Sequence, residues 1–192
     1  MMKTVTPHDK TTILQGIVHQ NIIFDLNGVL LAQENPYDLI AKTLQKVPLN
    51  IGYRPVSLAL GIALLKNCKE AGHKLFALSN ISLEKYNTIL ANPEIRSLLS
   101  YFDGIVISQM AGYRKPNPEI FSYLCEKNNL NPADCIFIDD EMENLKGAQA
   151  AYIHKTILCQ NFDLKKVRSK LVEFGILPNS CMQSLHMRTG RA

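Results

Sequence analysis

Five short apolar runs, spaced along the chain by segments of helical period, leave few architectures open. They are 21–24 (NIIF), 74–78 (KLFAL), 102–108 (FDGIVIS), 135–138 (CIFI) and 155–159 (KTILC). Each is rich in β-branched or aromatic residues and bounded by polar or turn residues, the pattern of a buried strand. Between them the period changes. The segment 54–72 has Pro55 near a first-turn position and ends at Gly72, the expected order for a helix, and is apolar on most sides. In 117–128, Asn117 stands at an N-cap, Pro118 at the first position, and Ile120, Phe121, Leu124 and Cys125 recur at helical spacing. Met142, Leu145 and Ala148 share a face of 141–151. Leu164, Val167, Leu171 and Phe174 do the same in 163–175, which ends at Gly175. Strands alternating with helices predict an α/β fold: a doubly wound parallel sheet with helices on both faces.

A chain of 192 residues suits one domain with a small appendage. The expected layout is an N-terminal extension at 1–16, an α/β core over 17–177 and a tail without periodicity at 178–192. An apolar content of 46% predicts a buried core. The net charge of +4 is mild and no dense Lys/Arg block occurs, so no nucleic-acid partner is expected. No apolar run approaches the ~18 residues of a membrane span. The first residues lack a long apolar stretch of the signal-peptide kind, so the expected compartment is the cytoplasm and no membrane partner is expected. Cys68, Cys125, Cys135, Cys159 and Cys181 show no C-x-x-C spacing and read as reduced thiols rather than a disulfide frame or zinc site. His8, His19, His73, His154 and His186 have no metal-ligand spacing and read as surface or core residues.

In open parallel sheets, ligands bind beyond the carboxyl ends of the strands. Asp25 follows the first run, Ser79 and Asn80 the second, Lys115 lies in the loop after the third, and Asp139 and Asp140 follow the fourth. Carboxylates suit a hard metal such as Mg²⁺, while hydroxyl and ammonium groups suit phosphate oxygens. Each residue also has a structural reading. Ser79 could cap a helix, Lys115 could be a solvated loop lysine, and Asn144 could be a partner of the acids or plain helix surface. Asp140, with Glu143 three residues on, fits a capping box and is expected to cap its helix. The stretch IFDLNGVL (23–30) is locally ambiguous, because Asn-Gly between apolar runs is a strong hairpin signal. The separate structural readings do not account for all these residues falling at strand ends.

These four stretches, in this order, resemble the four motifs of the haloacid dehalogenase superfamily, with "GYRKPNPEIF" and "FIDDEMENLKGA" especially similar. The resemblance covers roughly Asn21 to Leu177. It implies a Rossmann-like core and, for most members, a Mg²⁺-dependent phosphatase. Asp25 would be the nucleophile that forms an aspartyl-phosphate. Ser79 and Asn80 would contact the phosphoryl group, Lys115 would neutralise nucleophile and phosphate, Asp139 would bind Mg²⁺ and Asp140 would support it. Asp25 and the backbone carbonyl of Asn27 would be further metal ligands, and Asn27 would also contact substrate. The ligand would be a phosphorylated small molecule or an exposed phosphate on a larger substrate.

Two departures matter. Phosphatases of the superfamily usually carry an aspartate two residues after the nucleophile as general acid and base, and here that position is Asn27. An amide cannot exchange a proton near neutral pH. Loss of a general acid costs roughly 10²–10⁴-fold, most severely for alkyl phosphates. Three readings therefore stay open: a working phosphatase, a weakened relative that binds phosphorylated ligands or a protein partner, and a hydrolase of a non-phosphate leaving group. The paired acids at 139–140 favour a phosphoryl ligand. Secondly, 32–53 is long enough for a short helix and loop but not a full helical cap, so a reduced cap insertion and an open site are expected.

Overall fold

A computed structural model describes residues 19–33, 53–55 and 58–179. The expected extension at 1–16, the helix expected within 32–53 and nearly all of the tail fall outside these residues. The strands are β1 (Asn21–Phe24), β2 (Leu31–Gln33), β3 (Tyr53–Pro55), β4 (Lys74–Ser79), β5 (Gly104–Ile107), β6 (Cys135–Asp139) and β7 (Lys155–Leu158). The helices are α1 (Leu58–Glu70), α2 (Leu83–Ala91), α3 (Pro93–Leu99), α4 (Ser108–Ala111), α5 (Pro118–Asn128), α6 (Met142–Ala150) and α7 (Leu164–Glu173).

Five strands form one sheet in the order β5-β4-β1-β6-β7, every pairing parallel. Successive strand side chains point to opposite faces, and two cores result. Ile22, Phe24, Leu75, Ala77, Ile136 and Ile138 join α1, α2, α3 and α7 on one face. Ile23, Phe76, Leu78 and Phe137 join α5 and α6 on the other. The sheet is thus covered on both faces, which explains why its strands read as near-continuous apolar runs. Cys68, Cys125, Cys135 and Cys159 are buried free thiols, as their dispersed spacing predicts.

The structure adds to or departs from the sequence expectations at several points. The first turn of the helix expected over 54–72 is strand: Tyr53–Pro55 pairs antiparallel with Leu31–Gln33, and α1 begins at Leu58. A residue preceding proline is biased toward extended backbone, and here pairing with β2 exploits that bias. Helices α2 and α3 were not expected, though their caps are legible: Ser82 Oγ accepts the Lys85 N–H at 3.2 Å, and Asn92 Oδ1 accepts from Glu94 and Ile95 ahead of Pro93. Asn117 is the N-cap residue of α5 but makes no capping bond. The locally ambiguous stretch IFDLNGVL is no hairpin, because both neighbours of β1 are parallel. Asn27-Gly28 instead lies in a tight loop in which the N–H groups of Leu30 and Leu31 both donate to the Leu26 carbonyl. Gly28 there has φ of 88°, a conformation that glycine adopts without strain.

Candidate functional site

The central strands β4, β1 and β6 end side by side. Their register pairs Phe24 with Ala77 and with Ile138. Asp25 and Asp139 therefore stand level, with Ser79 one step further out. Lys115 arrives from the loop between α4 and α5. Its Nζ lies 2.7 Å from Asp25 Oδ1 and 2.6 Å from Asp139 Oδ2. All three side chains are buried, and the ammonium also stands 5.5 Å from the centre of the Phe137 ring. The solvated-loop reading of Lys115 is thereby excluded. Burial pushes the Asp25 carboxyl up to about 7, against the pull of Lys115. Burial opposes the Lys115 charge, but Asp25 and Asp139 together hold its pKa above the usual lysine value.

Asp139 is fixed from the other side. Asn144 Nδ2 donates to its Oδ1 at 3.0 Å and Oδ2 at 3.2 Å, and the Glu141 N–H donates to Oδ1 at 2.8 Å. Asn144, buried, also donates to Glu141 Oε2 at 3.0 Å. Asn144 is therefore a partner of the acids rather than helix surface. The expected capping role of Asp140 is not observed: Glu141 is the N-cap of α6, and it is the Asp139 carboxylate that accepts the backbone N–H. Asp140 faces the β1 loop, so closely that a Cβ on Gly28 would overlap its carboxyl. Burial, then the Asp139 charge, raise its pKa.

Asp25, Asp139 and Asp140 each offer one carboxylate oxygen within 4.8 Å of the others. Three acids against one ammonium leave excess negative charge, and the donors are all hard oxygens, a set that could hold a divalent cation such as Mg²⁺. Ser79 Oγ, Asn27 Oδ1 and Asn144 Oδ1 are buried without a hydrogen-bond partner among the described residues. Buried polar atoms are rarely left so. Ser79 does not cap α2, since Ser82 does. Asn80 was expected to touch substrate, and its amide is instead engaged with the Lys115 backbone: Nδ2 donates to the Lys115 carbonyl at 2.9 Å, and Oδ1 accepts the Lys115 N–H at 2.9 Å.

A cleft of about 710 Å³ opens over this cluster, lined by Asp25, Asn27, Ser79, Asn80, Lys115 and Asp140 among others. Arg114, Glu141 and Phe162 also line it without having been singled out in the sequence. Arg114 adjoins Lys115 and was findable by adjacency. Phe162 comes from a distant turn after β7, and nothing local marks it.

Comparison with known proteins supports the family resemblance and the fold. The haloacid dehalogenase-like hydrolase profile matches residues 54–151, just over half of the chain. A sesquiterpene phosphatase of Aspergillus oryzae is 31% identical over 88 residues, 46% of this chain and 43% of that protein. The N-acylneuraminate-9-phosphatase of Homo sapiens is 34% identical over 59 residues, 30% of this chain and 24% of that protein. The matched segment thus spans less than half the length of either relative. Among solved structures, a haloacid dehalogenase family enzyme of Bacteroides thetaiotaomicron, in complex with magnesium and inorganic phosphate, superposes with a TM-score of 0.58 at 20% identity, covering 74% of this chain and 95% of that one. A family hydrolase of Deinococcus radiodurans with bound phosphate and sodium gives 0.59 at 16% identity, covering 83% and 98%. Sheet order, motif order and the profile over half its length converge: the chain belongs to the haloacid dehalogenase-like hydrolase family.

Proposed function

We propose that this hydrolase is a Mg²⁺-dependent phosphatase that works through a phosphoryl group carried on Asp25. The observation that carries the reading is the buried Lys115 ammonium shared between Asp25 and Asp139, with Asp140 close by. Phosphatase relatives and neighbours holding phosphate support it. Asp25, Asp139, Asp140 and the Asn27 carbonyl would hold the Mg²⁺, whose contribution is to neutralise the charges brought together by carboxylate and phosphate.

An Asp25 oxygen attacks phosphorus, the new O–P bond forms, and the ester oxygen leaves with its electron pair. Lys115 balances charge on nucleophile and phosphoryl group, and Ser79 Oγ, which has no partner in the fold, donates a hydrogen bond to a phosphoryl oxygen. Water then attacks phosphorus, the Asp25 O–P bond breaks, and orthophosphate departs. Asn27 lines the cleft beside Asp25 but can neither give the leaving oxygen a proton nor take one from water. Aryl phosphates, whose leaving groups need no proton, should therefore turn over faster than alkyl phosphates. Substrates would be phosphorylated small molecules or exposed phosphates on larger molecules. Asn27 also favours a second reading, a binding protein for phosphorylated ligands on the same scaffold.

The test compares aryl and alkyl phosphate hydrolysis, with and without Mg²⁺, for wild type, Asp25→Asn and Asn27→Asp. Asp25→Asn should lower turnover at least ~10³-fold, as expected for loss of a nucleophile. Hydrolysis indifferent to both Mg²⁺ and Asp25 would remove the phosphatase reading. Activity that rises from a negligible baseline only in Asn27→Asp would favour the binding protein.

A further inference from the structure

The loop that carries Lys115 is held from two sides. On one, Asn80, just past the end of β4, pairs both its amide oxygen and its amide nitrogen with the Lys115 backbone, each at 2.9 Å. On the other, the Pro116 carbonyl lies against α6 so closely that a Cβ on Gly147 would overlap it. Glycine in a helix interior is unfavourable, so its presence in the middle of α6 has a cause. Here that cause is the approach of the residue next to Lys115.

A lysine side chain is a flexible four-carbon stem. Where its ammonium falls depends first on where its backbone is anchored. The Lys115 Nζ sits within 2.7 Å of one carboxylate and 2.6 Å of another, a placement that tolerates little drift of the loop. We propose that Asn80 and Gly147 are positioning residues that pin the Lys115 backbone from opposite sides, so that Asn80 acts through Lys115 rather than on substrate. The activity arm of the test rests on the phosphatase reading; the labelling arm does not.

The labelling arm treats wild type, Asn80→Ala, Asn80→Ser and Gly147→Ala with acetic anhydride and reads each lysine by peptide mass spectrometry. Folding is checked by circular dichroism. Lys115 should be protected in wild type and labelled at least about tenfold faster in folded variants, while the exposed Lys146, at 61% exposure, stays constant. The two Asn80 variants keep this arm decisive if Gly147→Ala fails to fold.

The activity arm measures Asn80→Ala alone and in a Lys115→Met background. Alone it should cost about 10²-fold in kcat, the scale of an ångström-level misplacement. With Lys115 absent it should cost less than about twofold, because residues that act as a unit are not additive. The same fold-loss in both backgrounds would assign Asn80 to the substrate and overturn the proposal. So would a Lys115 that stays protected in every folded variant. A wild type without Asp25-dependent turnover would instead count against the phosphatase reading, and labelling would still decide the role of Asn80 and Gly147.

Discussion

Buried polar groups sit at both ends of the sheet, and the two ends treat them differently. At the amino end, the buried His73 is satisfied on both ring nitrogens: Nδ1 accepts the Gln20 N–H at 3.2 Å and Nε2 donates to the Ile176 carbonyl at 2.8 Å. That pattern defines one neutral tautomer. At the carboxyl end, two carboxylates share one ammonium with a third carboxylate close by, and Ser79 Oγ, Asn27 Oδ1 and Asn144 Oδ1 have no hydrogen-bond partner among the described residues. A satisfied group stabilises the fold, whereas an unsatisfied buried group costs it free energy. The difference teaches where to look for chemistry: His73 is satisfied by the fold, whereas the carboxyl-end cluster keeps buried polar atoms available to a ligand.

Substitutions at the two ends should separate along that line. The largest effect is expected for Lys115→Met in metal-free buffer, which leaves Asp25 and Asp139 buried without their counter-charge. Loss of one partner from a buried ion pair costs about 3–5 kcal/mol, so chemical denaturation at pH 8 should show a drop of that order. The drop should shrink at pH 5, where Asp25 is protonated. Equal losses at both pH values would mean that packing, not charge, held the cluster. Next, Ser79→Ala should lower kcat on an aryl phosphate ~10²-fold, the usual cost of one transition-state donor. Its melting temperature should stay level or rise, because a buried hydroxyl without a partner is lost. A clear fall in melting temperature would show that the hydroxyl is satisfied in the free protein.

His73→Phe should behave in the opposite way. It strands a buried N–H and a buried carbonyl, at a cost of about 1–3 kcal/mol, while KM and kcat stay as in wild type. A changed KM would break the division between the two ends. The smallest effect is on pH dependence. Burial holds the His73 pKa below its ordinary value of about 6.5. Its share of stability is therefore present above that value and lost as pH falls through the folded value. Burial raises Asp25 to about 7, above an unfolded value near 3.9. Its share is present below about pH 4 and lost as pH rises through 7. The two slopes oppose each other in mild acid, each at most ~1.4 kcal/mol per pH unit. Melting curves from pH 4 to 8 without metal should lose the alkaline decline in Asp25→Asn and the acid decline in His73→Phe. Added Mg²⁺ should flatten the alkaline side in wild type alone.

Much of the fold was legible because strands buried on both faces must be apolar at nearly every position, and Ile22, Ile23 and Phe24 are. Helices α5, α6 and α7 announced themselves by period. Helices α2 and α3 are short, nine and seven residues, and are marked by their caps at Ser82 and Asn92, and the pairing of β2 with β3 depends on residues far apart in the chain. In the site, Asp25, Ser79, Lys115 and Asp139 were findable because a parallel sheet delivers the residues after its strands to one rim. The helix start was misassigned between neighbours: Asp139 and Asp140 are chemically identical, and only the turn into α6 decides which of them meets the Glu141 N–H.

By itself the amino-acid order determined the layers, the five strands of the main sheet and which residue types reach the carboxyl rim, since these follow from periodicity and from the fixed direction of parallel strands. Only the tertiary structure decided the partners: that Lys115 is shared between Asp25 and Asp139, that Asn80 holds the Lys115 backbone, and that His73 is closed off while Ser79 is left open. Pairing across the fold requires polar atoms from segments far apart in the chain to meet at hydrogen-bond distance, about 3 Å, and no local pattern encodes that.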